Sequence, residues 1–339
     1  MSELKNYIIK HISILFFSIY MPIFVIASLM MLVQLASLTA YIHLTIWDMT
    51  QLYLFSLPMT IFYTISIAFF IAAVMALFRL SNDNEIIVIF SLGISPKFLL
   101  KTLLTPALLL ALVEFFNLIV VFPKTSILYR NFKAFKQSEA KFNMSAGEFG
   151  HSFGDWLLYI GKKNKDNDYA DVFLFNKKQK EETLIYAKHA QILNKNSILT
   201  LHLEQGDGYS YSTKKFSQTH FDAMAIHARL NTGLTKNESI LEYWTSDYHR
   251  GNKDRKLILG TMFALFPLVS LFLILSLGVV HARHQKSSIY LYIFLSLILY
   301  FVPTIFLQKK LLFWTIPTVL IPWIIGTYWI YRKKIAARF

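Results

Sequence analysis

The chain has 339 residues, of which 55% are hydrophobic and 16% are charged, and its formal net charge is +14. A mean hydropathy of +0.45 is too high for a soluble domain of this size, so the composition indicates an integral membrane protein. The positive charge does not predict nucleic-acid binding, because many lysines and arginines flank apolar segments. The sequence contains no cysteine, which excludes disulfides and thiolate metal sites.

Six apolar segments are long enough to cross a bilayer, whose hydrocarbon core of about 30 Å needs roughly 20 helical residues. The first is too long for the apolar region of a cleaved signal peptide, so we expect it to remain as a span. We therefore predict a membrane α-helical fold with six transmembrane helices. They lie approximately at Ile12–Leu38, Leu52–Leu77, Phe98–Phe122, Leu257–Val280, Ile289–Leu307 and Leu312–Tyr331.

Basic residues near the ends of these segments predict the orientation. When six spans alternate, four basic groups fall on one side, and the positive-inside rule makes that side the cytoplasm. Both termini are then predicted to be cytoplasmic. The groups are Lys5 and Lys10; Arg79, Lys97 and Lys101; Arg283 and Lys286; and Arg332, Lys333, Lys334 and Arg338.

The polar region at 124–255 separates the helical regions 1–123 and 256–339 and is predicted to be an inserted extracytoplasmic all-β domain of the jelly-roll type. Alternation at 199–204 and the segments 172–175 and 183–186 indicate half-buried strands. The sequence Gly206-Asp207-Gly208 predicts a tight turn, and residues 124–141 are expected to continue the third span as a helix.

A polar interruption between the second and third apolar segments predicts a short amphipathic helix at about 81–95 on the cytoplasmic face. Its apolar side chains, spaced at i, i+3 and i+4, share one face, while its carboxylates lie near the start, where the helix dipole favours them. An ordinary amphipathic loop at the membrane interface is the alternative. The apolar residues are Ile86, Ile89 and Phe90, and the acidic ones are Asp83 and Glu85.

The ends of this helix also follow from the sequence. Ser81 or Asn82 is the predicted N-cap, and Gly93 is expected to end the helix. Ser95 and Pro96 then begin the next span, with proline in its first turn.

Motifs for nucleotide or metal chemistry are absent from the sequence. The triplet Gly161-Lys162-Lys163 has Trp156 where a Walker A loop needs glycine, and a lysine where the magnesium-binding hydroxyl belongs. We therefore expect that the chain does not hydrolyse ATP itself. Neither a His-Glu-x-x-His helix nor a Gly-x-Ser-x-Gly elbow occurs.

Glu114 is an ionisable residue inside the third predicted span, where a charge is energetically costly. Two interpretations remain open: a carboxyl group paired with a neighbouring helix or water, and a step on a proton or ion path. The first, second, fifth and sixth spans lack buried charges, which argues against a proton-coupled transporter.

The order of three spans, a β domain and three spans resembles the lipopolysaccharide-export permease family, LptF/LptG, over the whole chain. The most specific motif runs from Arg79 to Val88 and on to Leu92-Gly93-Ile94-Ser95. The resemblance implies a coupling helix that docks in a groove of a separate cytoplasmic ABC ATPase dimer. The implied ATPase-coupling residues are Asp83, Glu85, Ile86, Ile89, Phe90, Gly93 and Ser95.

The same resemblance implies the partners and the location. They are a paralogous permease, single-span and periplasmic bridge proteins with β-jellyroll domains, membrane lipid, and lipopolysaccharide as substrate. The location is the bacterial inner membrane, with the β domain in the periplasm. No cofactor is expected on this chain, since ATP and magnesium are used by the ATPase.

Lipid contacts are less well defined. Some family members carry basic residues in span one that contact lipid phosphates, whereas the segment Met30–Ala36 has Gln34 as its only polar group. Cations near the outer boundary are alternative phosphate partners, although interfacial anchoring is their ordinary role. The lipid-binding candidates are Met30, Gln34, Lys124, Arg130, Lys309 and Lys310.

Two rival functions fit the same composition. One is a membrane-anchored β-domain adaptor of a periplasmic complex without transport coupling, and the other is a membrane enzyme. Substitution of Glu85 separates the permease from the adaptor, because only a permease needs this residue for association with an ATPase. A membrane enzyme would instead show activity as the isolated chain.

Overall fold

The structure is a computed structural model. It describes residues 2–40, 42, 44–142, 149–153, 156–165, 168–178, 181–195, 198–212, 215–229, 239–247, 250–280 and 288–336. The chain divides into two compact units. The helical unit comprises Met1–Ala36, Met49–Leu128 and Asn237–Phe339, and the second unit comprises Ser37–Asp48 and Tyr129–Lys236.

The division places residues 237–255 with the helices, whereas the sequence assigned them to the inserted domain. In this segment, Ser239 and Glu242 form a reciprocal capping box that starts a short helix. The side chain of Tyr243 is buried against Phe122 and Ile127. This packing explains why the segment belongs to the helical unit despite its polar composition.

The helices are long and mostly apolar. They are α1 (Ser2–Leu38), α2 (Ile46–Asn82), α3 (Glu85–Ser91), α4 (Pro96–Phe116), α5 (Phe122–Phe142), α6 (Ile240–Thr245), α7 (Arg250–Val269), α8 (Leu271–Gly278), α9 (Ile289–Leu311) and α10 (Thr315–Tyr331). A π-helical segment, Asn117–Val121, joins α4 to α5, so one helical stretch continues to Phe142. The predicted continuation of the third span as a helix is therefore confirmed.

Four helical stretches in the described residues are long and apolar enough to span a membrane, and a fifth is obtained if α7 and α8, bent by 48°, form one span. The predicted membrane-helical class is thus confirmed, but six spans are not shown by this count. One stretch, residues 289–336, is 48 residues long. Within it, Leu312 has φ 47°. The rings of Tyr300 and Trp323 lie 5.0 Å apart, so α10 folds back against α9.

The core of the helical unit lies where α2, α7, α8, α9 and α10 meet. Phe70, Phe266 and Tyr300 are fully buried there, and the rings of Phe70 and Phe266 are 5.0 Å apart. Gly260 of α7 lies so close to Leu118 that a Cβ atom would overlap the leucine side chain. These contacts make α7 and α8 the packed centre of the unit.

The second unit contains a six-stranded antiparallel sheet in which each strand pairs with its neighbours in sequence. The predicted antiparallel β insert is confirmed. The jelly-roll arrangement is not, because the strand order contains no crossover. The strands are β1 (Phe149–Phe153), β2 (Trp156–Lys165), β3 (Asp168–Lys178), β4 (Glu181–Lys195), β5 (Ile198–Ser212) and β6 (Lys215–Arg229).

One face of the sheet forms its own apolar core. Leu201 and Leu203 are buried while Glu204 is exposed, as the alternation in the sequence predicts. The buried side chains come from β2 to β6 and form one cluster. Its members include Leu158, Ile160, Tyr169, Val172, Leu174, Ile185, Ala187 and Phe221.

The turn predicted at Gly206-Asp207-Gly208 is wrong, because these residues lie inside β5 and pair with both neighbouring strands. Gly206 is needed for a different reason. The carbonyl of Tyr186 and the ring of Phe221 occupy the space where its Cβ would lie. The glycine therefore permits close packing within the sheet, and the sequence alone did not distinguish this use from a turn.

We expect Gly206→Ala to lower the free energy of unfolding of the sheet by about 1–3 kcal/mol, because the new methyl group overpacks a closed position. Gly208→Ala is the matched control. The nearest atom to a Cβ there is 3.7 Å away, so we expect a change of about 0.5 kcal/mol or less. Denaturant-dependent proteolysis of the full chain measures both. Equal stability of the two variants would contradict the packing argument.

Candidate functional site

The predicted short helix is α3, which is seven residues long and lies between two residues with positive φ angles. Asn84 precedes it with φ 60°, and Gly93 follows it with φ 80°. The amide of Gly93 donates a hydrogen bond to the carbonyl of Phe90 (3.0 Å). Such a left-handed residue after a helix end is most easily supplied by glycine. Ser95, which is exposed, and Pro96 then start α4 as predicted.

The predicted N-cap residues do not start α3, because α2 extends to Asn82. Ser81 instead joins the ends of α2 and α8. Its hydroxyl donates to the carbonyl of Gly278 (2.9 Å) and accepts from the amide of Val280 (3.3 Å). A Cβ atom on Gly278 would lie 2.5 Å from the Cβ of Leu77, so the two helices touch closely. The end of α2, from which the chain continues into α3, is therefore fixed to α8.

The two faces of α3 have different environments. Ile86 and Ile89 are 1% and 7% exposed and belong to the main helical core, against which Phe90 packs partly. Val88 and Leu92 are 55% and 73% exposed. The residues predicted to contact an ATPase through their apolar face thus anchor α3 to its own unit. The apolar surface that α3 exposes is the i, i+4 pair Val88 and Leu92, which the amphipathic pattern of the sequence did not predict.

The carboxylates lie at the start of α3. Asp83 is exposed and Glu85 is partly exposed. In the part of the chain that the structure describes, neither forms an ion pair. The hydroxyl of Tyr7 lies 2.8 and 3.0 Å from the two carboxylate oxygens of Glu85. One hydroxyl donates to one oxygen at a time, so the other oxygen of Glu85 is available to a partner.

Tyr7 belongs to α1, and its contact with Glu85 joins α3 to the first span. The tyrosine side chain is 39% exposed, and its ring packs on that of His11 at 4.3 Å. Sequence spacing cannot reveal this contact, because 78 residues separate the two partners. The site is therefore built from α1, α2, α3 and α8.

The predicted lipid-contact residues are spread over several elements. On α1, Met30 is 62% exposed, and Gln34 is also exposed. Arg130 is partly buried and lies in the second unit, and the remaining candidates are exposed cations of the helical unit. The latter are Lys124 on α5, and Lys309 and Lys310 at the end of α9.

The first helix is the least packed of the long helices. Only 6% of its most apolar window is buried, compared with 61% for α2. Val25, Leu29 and Val33 are spaced four residues apart and are 51%, 57% and 70% exposed. This half of α1 therefore presents a continuous apolar surface to lipid or to a partner.

Glu114 is 2% exposed and lies among three helices. The hydroxyl of Ser66 on α2 is 2.7 Å from both carboxyl oxygens of Glu114 and 2.7 Å from the carbonyl of Phe263 on α7. A hydroxyl has one proton to donate. All groups are satisfied when the carboxyl donates its own proton to Ser66, and Ser66 donates to Phe263. This geometry agrees with the interpretation of Glu114 as a structural link to a neighbouring helix.

The sequence matches the family model described as "Lipopolysaccharide export system permease LptF/LptG" over residues 6–330. The matched range includes the apolar helices, α3 and the sheet, so the match concerns the whole architecture and not one motif. Comparison with curated proteins gives no match.

We expect Glu114→Gln to keep the stability of the detergent-solubilised protein, because the amide can donate to Ser66 as a protonated carboxyl does. Glu114→Ala should lower the free energy of unfolding by about 1–3 kcal/mol, since it removes the group that donates to the buried hydroxyl oxygen of Ser66. Thermal melting of both variants tests this. A glutamine variant as unstable as the alanine variant would show that the negative charge is required.

Proposed function

Because the chain belongs to the LptF/LptG family of lipopolysaccharide export permeases, we propose that it is the membrane subunit of an ATP-driven exporter. In this proposal it extracts lipopolysaccharide from the outer leaflet of the bacterial inner membrane and passes it to a periplasmic β-jellyroll bridge. The observation that carries the proposal is the family match over nearly the whole chain. The exposed, acidic and apolar surface of α3 supports the coupling to an ATPase.

The proposed topology has six spans. They are α1, α2, α4 with the start of α5, the bent pair α7 and α8, α9, and α10. The contact of Tyr300 with Trp323 supports two antiparallel spans in the stretch 289–336. Both termini are placed in the cytoplasm, in agreement with the basic residues at the span ends. The basic residues Arg283, Lys286 and Arg338, which also support this orientation, lie outside the described residues.

The β unit is placed in the periplasm. There it would continue the lipid path as a jelly-roll-like shell. Each methylene of an acyl chain gains roughly 0.8 kcal/mol when an apolar surface shields it from water. The sheet has an extensive apolar core of its own, which supports a domain able to present such a surface.

In the cytoplasm, α3 would receive force from a separate ABC ATPase dimer. Val88 and Leu92 would insert into an apolar groove of the ATPase, while Asp83 and the second oxygen of Glu85 would meet its polar rim. Ile86 and Ile89 would transmit displacement of α3 to the helical core, because they are buried in it. The hydrogen bond from Tyr7 would carry the same displacement to α1.

In the membrane, the exposed half of α1 would line a vestibule shared with a paralogous permease. Met30 and Gln34 would face the lipid there. The proposed phosphate partners are Lys124, Lys309 and Lys310 of the helical unit and, separately, Arg130 of the second unit. Bridge proteins with β-jellyroll domains would accept the lipid. We propose that the chain itself holds no cofactor and that ATP and magnesium are bound by the ATPase.

The apolar face of α3 gives a direct test. We expect Val88→Ser with Leu92→Ser to reduce co-purification of the ABC ATPase with the permease complex by about tenfold or more, since two large apolar side chains lose their burial. Glu85→Lys should reduce it as well. The matched control is Leu241→Ser on α6, a side chain that is 78% exposed. Unchanged association and lipid export in the α3 variants would favour the adaptor without transport coupling.

The contact between α1 and α3 gives a second test. Tyr7→Phe removes the hydroxyl that binds Glu85 but leaves the outward surface of α3 intact. We therefore expect the ATPase to co-purify normally while lipopolysaccharide release per ATP hydrolysed falls about tenfold, the value of one hydrogen bond to a charged group. Tyr290→Phe, at a tyrosine that is 66% exposed on α9, is the control. Normal release by the Tyr7 variant would exclude a role for this contact in coupling.

A further inference from the structure

The helical unit contains an apolar groove that the export pathway does not use. It has a volume of about 300 Å³ and lies among α1, α2 and α4. Ile9 and Phe16 of α1, Phe69 of α2, and Leu109 and Val113 of α4 line it. The groove lies among the span helices of the chain, so its surroundings in a membrane are lipid.

One end of the groove is basic. Lys5 lies one helical turn before Ile9 on α1, and its Nζ donates to the hydroxyl of Thr105 on α4 (3.4 Å). Lys101 is exposed and lies four residues before Thr105 and eight before Leu109, on the same face of α4. Two lysines and a hydroxyl therefore lie within two helical turns of the apolar lining, beyond one end of the groove.

This end of the groove lies at the end of the spans that carries α3. Tyr7, two residues after Lys5, binds Glu85 of α3. The groove thus opens toward the leaflet next to α3, whereas the proposed export path begins at the opposite leaflet.

The polarity of the groove selects its occupant. Ile9 and Phe16 are seven residues apart, which is roughly 10 Å along a helix axis. The groove therefore combines an apolar lining of this length with two lysines near one end. An anionic lipid has the same order of chemistry, a negatively charged head group followed by an apolar chain.

We propose that this groove binds an anionic phospholipid from the leaflet next to α3, with one acyl chain along Ile9, Phe69 and Leu109 and the phosphate at Lys5 and Lys101. Basic pockets between membrane helices on the cytoplasmic side bind anionic head groups in this way. A bound acyl chain would fill the space between α1 and its neighbours. Because α1 also holds Glu85 through Tyr7, the lipid would stabilise the position of the helix that contacts α3. The site does not require that the protein export lipopolysaccharide.

Native mass spectrometry of the purified full-length chain tests the head-group contact. The probe is an equimolar mixture of phosphatidylglycerol and phosphatidylcholine with the same acyl chains. We expect one retained phosphatidylglycerol, and about a fivefold loss of its preference for each of Lys5→Gln and Lys101→Gln. The control is the pair Lys10→Gln and Lys334→Gln, which removes the same charge from exposed positions that do not lie at this end of the groove. Equal losses in both pairs would overturn the proposal.

A second pair of variants tests the acyl-chain contact. Leu109→Trp fills the groove, and we expect it to remove the retained lipid whatever its head group. Leu108→Trp adds the same side chain at a neighbouring position that is 48% exposed and does not line the groove, so lipid should be retained. Retention of lipid by Leu109→Trp would overturn the proposed site. Crosslinking of a photoreactive residue at Ser13 to a protein in the assembled complex would also overturn it.

Discussion

The close contact of α2 with α8 determines how this protein can present its short helix. Gly278 allows the two helices to approach closely at Leu77. The buried hydroxyl of Ser81, at the end of α2, then forms two hydrogen bonds with the backbone at the end of α8. A larger residue at position 278 would separate the helices, and an apolar residue at position 81 would leave a carbonyl and an amide without this partner. The helix α3 starts four residues after Ser81 and therefore extends from a fixed point.

The long helices differ in how much of their apolar surface is buried inside the chain, and this difference bears on which helix can move. The most apolar windows of α1 and α2 have nearly equal hydropathy, 2.3 and 2.4, yet they differ tenfold in the fraction buried inside the chain. Helices in lipid gain little from hydrophobicity alone and associate through close packing and hydrogen bonds. An apolar helix with few such contacts, such as α1, can change its neighbours at low cost. A helix like α2 serves as a stable support.

Two polar contacts along α1 show how the loosely packed helix is held. Tyr7 binds Glu85 near one end, and Tyr53 of α2 donates to Ser28 of α1 further along (2.9 Å). Each contact is one hydroxyl group, and such hydrogen bonds contribute about 1 kcal/mol between neutral groups and about 1.5–3 kcal/mol to a charged group. A partner or a lipid that packs on α1 can therefore compete with these contacts. The two hydrogen bonds therefore keep α1 in place while leaving it able to change position when a partner or a lipid binds.

The sequence by itself determined the membrane class, the antiparallel strands and the C-terminal end of α3, because these depend on local properties. Hydropathy over 20 residues, alternation within a strand, and the left-handed backbone at Gly93 are all encoded by neighbouring residues. The amphipathic period also predicted correctly that Ile86 and Ile89 share a face. It could not decide whether that face met the chain's own core or a partner, since both environments are apolar.

Only the tertiary structure decided the contacts between residues far apart in sequence. Ser81 was predicted as a cap from its residue type, but its partners are almost 200 positions away. Gly206 was assigned to a turn, but its use is set by Phe221 on the adjacent strand. The pairing of Tyr7 with Glu85 and the burial of Glu114 beside Ser66 likewise depend on which helices pack together. Helix packing is set by side-chain shape over many contacts, which no local pattern of one sequence records.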